Sequence, residues 1–273
     1  MPEPIEPVAR LGGAGGAPAD SSGDSPLVLI PVTAEDVTRQ KRRRVLTWLI
    51  VMLVILGIGG WIYKVKTDPV RAQESFDGAQ RLFASARYRE TIVACDRAIA
   101  LKPDFADAFM LRGKARVADY TPERGIPDFT KAIELRPGDP QAPIERAHAY
   151  IEQKNYTAAI SDASAAIALD PKLGRAYNLR GTALRALGET QQAIEAFSRA
   201  VGLEPNADNF YQRGATYQIL GDHQSAILDF TQAIGINPDT PEAYFARAES
   251  ERAVGDMEQA QKDHDYGRYL DGR

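Results

Sequence analysis

The sequence predicts an all-α protein: a solenoid of about six helical hairpins behind a single transmembrane helix and a disordered N-terminal tail. Three observations carry that expectation. Five similar phrases recur at intervals of 33 or 34 residues beyond residue 72, and periods of this length are the mark of stacked repeats. A run of 19 uncharged residues, Val45 to Tyr63, precedes them. Ahead of that run the chain is rich in Pro, Gly, Ala and Ser and has no helical or strand period.

Composition sets outer bounds. With 273 residues, 44% hydrophobic and 26% charged, the chain is ordinary globular material, long enough for one or two domains. Residues 1–66 hold 8 Lys/Arg against 6 Asp/Glu, which leaves 25 against 31 for the rest. A mildly acidic folded part argues against nucleic acid as a partner, because phosphate binding calls for a basic face. The single Cys95 excludes an intramolecular disulfide and a multi-cysteine metal site.

Residues 1–40 read as a disordered tail, with Pro2, Pro4, Pro7, Pro18, Pro26 and Pro31 scattered through it. Its one apolar stretch, Leu27-Val28-Leu29-Ile30, is either a short motif that adds a strand to a partner's sheet or simply a solvated run in a tail.

Residues 41–66 form the anchor with its basic flanks. The stretch VLTWLIVMLVILGIGGWIY from Val45 to Tyr63 would extend roughly 28 Å as a helix, close to the hydrocarbon thickness of a bilayer. Trp48, Trp61 and Tyr63 sit near its ends, where amphipathic rings favour the interface. A buried core helix of this length would carry a polar face, and this one has none. A cleaved signal peptide fits poorly, since more than 40 residues precede the run and no A-x-A-like site follows it. Arg39, Lys41, Arg42, Arg43 and Arg44 precede the span while Lys64, Lys66 and Arg71 follow it. That excess places the N-terminus in the cytoplasm and the repeats across the membrane.

Beyond the anchor, Pro103, Pro137, Pro171, Pro205 and Pro238 close the phrases RAIALKP, KAIELRP, AAIALDP, RAVGLEP and QAIGINP. Ala98, Ala132, Ala166, Ala200 and Ala233 lie five residues earlier in each. Phe109, Tyr177, Phe210 and Tyr244 open the first helices, and Gly113, Gly181, Gly214 and Ala248 follow four positions later. Small residues begin the second helices at Ala159, Ala193, Ala226 and Ala260. The small residue lets two helix backbones approach, the aromatic fills the gap beside them, and the proline ends the second helix.

This pattern resembles the tetratricopeptide repeat family, whose unit is a 34-residue helix–turn–helix. The resemblance covers nearly all of 67–273, with repeats at about 72–105, 106–139, 140–173, 174–206, 207–240 and 241–273. It implies a right-handed superhelical solenoid with a continuous core. Departures are expected to show. Cys95 replaces the aromatic found at Phe129, Phe197 and Phe230 and reads as a small core residue. Pro122 suits a first helical position, whereas Pro127 should delay or kink the second helix of repeat two. Pro143 is tolerable in a first turn. Glu251, His264 and Gly267 read as polar or small replacements on a water-facing terminal hairpin.

A charge pattern supports the register. Arg112, Arg146, Arg213 and Arg247 each precede Asp128, Asp162, Asp229 and Asp263 by 16 residues, which suggests an ion pair between the two helices of each hairpin. Repeat four keeps Arg180 but has Ala196 in the aspartate's place.

Little else points to chemistry. His148, His223 and His264 form no metal-ligand constellation, and there is no P-loop, dinucleotide fingerprint or nucleophile elbow. No catalytic residue, metal or cofactor is therefore expected. The family resemblance implies instead that first-helix residues line a concave face that binds a protein or peptide. Carried over, an apolar half consists of Phe76, Phe83, Met110, Val117, Ile144 and Ile151, interleaved with Gln80, Lys114 and His148. A second half, suited to a polar or acidic peptide, consists of Arg175, Asn178, Thr182, Arg185, Tyr211, Gln218, Phe245 and Arg252. Some relatives clamp a chaperone's C-terminal carboxylate with Lys and Asn at positions that here hold Phe76, Gln80 and Leu111, so that match is absent. The resulting expectation is a single-pass scaffold of a bacterial inner membrane that helps assemble an envelope complex. An organellar import-receptor-like protein and an accessory subunit of a membrane enzyme stand as alternatives.

Overall fold

The computed structural model describes residues 34–272. The tail expected over 1–40 therefore lies outside the described residues up to residue 33, together with its Leu27–Ile30 run. Residues 34–40 are already helical, the opening turns of α1 (Ala34–Ala84).

The chain divides into two compact units, Met1–Lys64 and Val65–Arg273. Within the first, the stretch Lys41–Trp61 is long and apolar enough to cross a membrane, with a mean hydropathy of 1.9 and none of it buried. Leu46, Trp48, Leu53, Leu56 and Trp61 all stand more than half exposed, which is costly in water.

The second unit is an array of six antiparallel hairpins. The C-terminal part of α1 pairs with α2 (Tyr88–Leu101), then α3 (Ala106–Ala118) with α4 (Pro122–Leu135), and α5 (Gln141–Glu152) with α6 (Tyr156–Leu169). The series ends with α7 (Gly174–Ala186) and α8 (Thr190–Leu203), α9 (Ala207–Leu220) and α10 (His223–Ile236), α11 (Pro241–Val254) and α12 (Met257–Asp271). No strand occurs among the described residues.

The prolines set this punctuation through their neighbours. Lys102, Arg136, Asp170, Glu204 and Asn237 each precede one, and each cap residue has φ between −142° and −131° with ψ between 74° and 101°. The ring of a proline excludes helical geometry from the residue before it, so the second helix stops there every time. Starts are less uniform. Asn155, Asn206, Asp222 and Asp256 cap their helices by accepting the N–H of the third residue on.

Packing inside each hairpin follows the small-residue rule. A Cβ on Gly113 would lie 2.6 Å from the Phe129 ring, one on Gly181 2.9 Å from Phe197, and one on Gly214 3.0 Å from Phe230. The three phenylalanines are completely buried. Cys95 is buried as expected, and burial pushes its thiol up to about 12, which leaves it inert as a nucleophile. Between hairpins, Ile99 packs against the cluster that holds Phe105 and Ala108, Ile167 against the one that holds Ala176 and Leu179, and Ile234 clusters with Ala243 and Tyr244.

Two expectations need correction. Helix α4 runs unbroken from Pro122 through Pro127, so Pro127 neither delays nor interrupts it. Its missing N–H would have met the carbonyl of Glu123, in an exposed first turn where water can serve instead. In the last hairpin Glu251 and Gly267 face inward, not toward water: Glu251 is 5% exposed, and Gly267 lies beneath the Phe245 ring. The polar outer face is carried by other residues. Five hairpins bear an apolar pair on the second helix (Ile92/Ile99, Ile126/Ile133, Ile160/Ile167, Ile194/Val201 and Ile227/Ile234), where the sixth has exposed Gln261 and Arg268.

Candidate functional site

The expected ion pairs are present. Arg146 donates Nε and Nη2 to the two carboxylate oxygens of Asp162 at 2.7 and 2.8 Å, and Arg213 meets Asp229 in the same way at 2.8 and 2.7 Å. Arg112 and Arg247 repeat the arrangement on Asp128 and Asp263. The four aspartates are only 2–6% exposed. Each arginine also reaches back to the preceding hairpin: Arg112 to Asp96, Arg146 to Thr130, Arg213 to Ser198 and Arg247 to Thr231. The pairs therefore tie three helices together, a second link that spacing within one hairpin does not reveal. Arg180, lacking its aspartate, lies over the Tyr177 ring at 5.3 Å.

These pairs hold the first helices in register, and α5, α7 and the start of α9 then enclose a cavity of about 530 Å³. His148, Ile151 and Glu152 come from α5, and Arg175, Asn178, Leu179 and Thr182 from α7. The opposite wall consists of Glu204, Asn206, Asp208 and Asn209. Of the predicted groove residues, His148, Ile151, Arg175, Asn178 and Thr182 are thus brought together.

The far wall escaped sequence reasoning because it comes from the inter-repeat turn and the first turn of α9, ahead of the groove-facing positions. Its signal was Asn209, a polar residue where the other repeats have Ala108, Ala142, Ala176 and Ala243. Asn209 is buried and locked in place. Its Nδ2 donates to the carbonyls of Ala200 and Glu204 at 3.4 and 2.7 Å, and its Oδ1 accepts from Asn178 Nδ2 at 2.7 Å. Asn178 Nδ2 also donates to Asp208 at 3.1 Å.

Much of the remaining predicted groove is spent on packing. Phe76 is 7% exposed and stacks on Phe105 at 4.8 Å, and Ile144 is 1% exposed within a cluster of alanines and Leu179. These two belong to the core, which removes the centre of the expected apolar half; a stripe at helical spacing serves neighbouring hairpins first. Phe83 packs on Tyr88, while Met110 and Val117 are half-buried and Gln80 is exposed. Tyr211 lies against Phe230 at 5.6 Å, Phe245 covers Gly267, Gln218 donates to the Ala246 carbonyl, and Arg252 is exposed.

The cations are also engaged. Glu145, buried on α5, accepts Arg175 at 2.8 and 3.3 Å and Lys114 at 3.1 Å. Burial alone would raise its pKa, but Arg175 and then Lys114 outweigh that and hold the carboxyl below its ordinary value. Arg185 turns from the groove onto α9, donating to the Gln212 carbonyl and side chain and to Thr216. Among the described residues no group of three His, Cys, Asp or Glu is placed to hold a metal ion.

Comparison with known proteins bears on this geometry. Two tetratricopeptide repeat models match residues 144–208 and 207–240, the hairpins that build the cavity. Residues 144–240 thus match tetratricopeptide repeats, and the remaining hairpins share their helix–turn–helix form. A similar stretch occurs in the small glutamine-rich tetratricopeptide repeat-containing protein 2 of Mycosarcoma maydis, 36% identical over 105 residues. That match spans 38% of this chain and 30% of the relative's length. Among solved structures, MamA from Desulfovibrio magneticus superposes with a TM-score of 0.57 at 22% identity, over 62% of this chain and 96% of MamA. The pilF protein of Pseudomonas aeruginosa gives 0.66 at 14% identity, over 76% and 95%. Both likenesses concern the fold.

Proposed function

We propose that this protein is a membrane-anchored scaffold whose tetratricopeptide array holds an extended segment of a partner protein in the concave groove of repeats three to five. The observation that carries this is the cavity between α5, α7 and α9. It is large enough for several side chains, and Asn178, held in place by Asn209 and Asp208, keeps its side-chain carbonyl as an acceptor on the wall. Such an acceptor suits the N–H groups of a peptide main chain. A chaperone-tail clamp is disfavoured, because Lys114 and Arg175, the cations best placed for a carboxylate, are already held by Glu145.

The anchor reading rests on Lys41–Trp61, apolar and uncovered. The basic flank from Arg39 to Arg44 favours a cytoplasmic N-terminus and an extracytoplasmic array, as on a bacterial inner membrane, where assembly of an envelope complex is the matching role. Protease protection of tags at the two ends, in intact cells and in spheroplasts, tests the orientation; digestion of the array from the cytoplasmic side reverses it. A photocrosslinking residue at Asn178 should capture partner protein, whereas one at exposed Ala165 on α6 should not. Equal capture at both positions removes the groove.

A further inference from the structure

We infer that the segment bound in this cavity is cationic: an extended stretch that places a Lys or Arg side chain among Glu152, Glu204 and Asp208. The inference deepens the groove reading and rests on it. The argument is a census of which charges are free. Arg175, the arginine lining the cavity, is spent on Glu145, which also takes Lys114. Arg185, next along the groove, keeps its charge but turns its donors onto Gln212 and Thr216 of α9.

The carboxylates are not spent. Glu152 has only His148, at 3.9 Å, and no donor among the described residues reaches the Glu204 carboxylate. Asp208 accepts two neutral amides, from Asn178 and Gln212, each at 3.1 Å, and feels the Arg185 charge without forming an ion pair with it. Uncompensated negative charge on the walls of a partly enclosed cavity focuses potential inward and raises the local concentration of cations. The apolar floor, Ile151 and Leu179, matches the aliphatic stem that a Lys or Arg must lay down to bring its head group to the far wall. An acidic segment would meet like charge from both sides. The assignment thus reverses the one drawn from the arginines in the sequence, whose donors are turned onto other residues of the solenoid.

The test uses the full chain in neutral detergent and three fluorescent peptides of equal length, alternating Gly-Lys, Gly-Glu and Gly-Gln. Anisotropy should show the Gly-Lys peptide binding, with affinity falling as salt rises. Glu152→Gln with Glu204→Gln should weaken it by about tenfold, the loss expected for two rim charges. The Gly-Glu and Gly-Gln peptides should not respond to those substitutions. Glu152→Gln alone, at an exposed position, supplies a variant whose folding is not in question. Gly-Lys binding that ignores both variants, or a Gly-Gln peptide bound equally well, overturns the cationic assignment. Crosslinking of the Gly-Gln peptide at Asn178 would in that case leave the groove itself standing, while absence of any crosslink there would remove both.

Discussion

Arg146 and Arg180 occupy the same place in successive hairpins, and only one of them has an aspartate beneath it. Asp162 is 6% exposed, so removing Arg146 strands a buried carboxylate, at a cost of about 3 kcal/mol. Arg180 has the Tyr177 ring for company and nothing buried to strand, so Arg180→Ala should cost about 1 kcal/mol or less. Urea unfolding of the two variants distinguishes the cases, and equal losses would show that the pairs contribute no more than surface ion pairs. The 16-residue spacing made these pairs legible in the sequence; their burial was not, because it depends on how closely the next hairpin stacks. Glu251 shows the reverse failure. It was read as water-facing, yet it lies buried beside Asp263 and 3.8 Å from Arg247, and its Oε2 has no hydrogen-bond partner. Burial first, then the Asp263 charge, raise its pKa from an ordinary 4.5 to about 7. A pKa raised on folding stabilises most below the unfolded value, so this contribution is complete below about pH 4.5 and is lost as pH rises through about 7. Its full size is on the order of 3 kcal/mol. Thermal midpoints between pH 5 and 8 should fall for the natural chain and stay flatter for Glu251→Gln; parallel curves would contradict the assignment.

At the scale of helices, two glycines separate close packing from mere helix propensity. Gly113 lies under Phe129 with no room for a methyl group, whereas a Cβ on Gly78 would meet nothing within 4 Å. Gly113→Ala should therefore destabilise by about 1–3 kcal/mol through overpacking. Gly78→Ala should stabilise by about 0.5–1 kcal/mol, since alanine suits a helix interior better. Opposite signs in chemical denaturation are the expected result, and two stabilising substitutions would mean that the hairpins are not closely packed. Helix ends were readable because pre-proline geometry is local. Pro127 misled because the same local rule ignores where in the helix the proline falls: in an early, exposed turn the lost hydrogen bond goes to water. The groove misled for a related reason. Phe76 and Ile144 share the helical face of Asn178, and the spacing that assigns a residue to that face does not say whether the next hairpin covers it.

For the whole array, stability is a sum over neighbours, because each hairpin packs only against those beside it. What closes such an array is the face its last hairpin turns outward. Ile234 on α10 clusters with Ala243 and Tyr244 of the last hairpin, and half-buried Ile227 lies two turns earlier on the same helix. Gln261 and Arg268 hold the corresponding positions on α12 and stand in water. Removing 241–273 should expose the isoleucine pair and cost solubility more than it costs fold, since the remaining hairpins keep their own interfaces. Transferring the cap to the shortened chain, with Ile227→Gln and Ile234→Arg, should restore a soluble five-hairpin array with an intact cavity, because α5, α7 and α9 are all retained. Gel filtration of the two truncated forms in the same detergent, with helicity followed by circular dichroism, reads this directly. If the shortened chain without the two substitutions remains monodisperse, the outward polarity of α12 is incidental; if both forms lose helicity, the last hairpin supports the others beyond its nearest neighbour, and summing over neighbours fails for this protein.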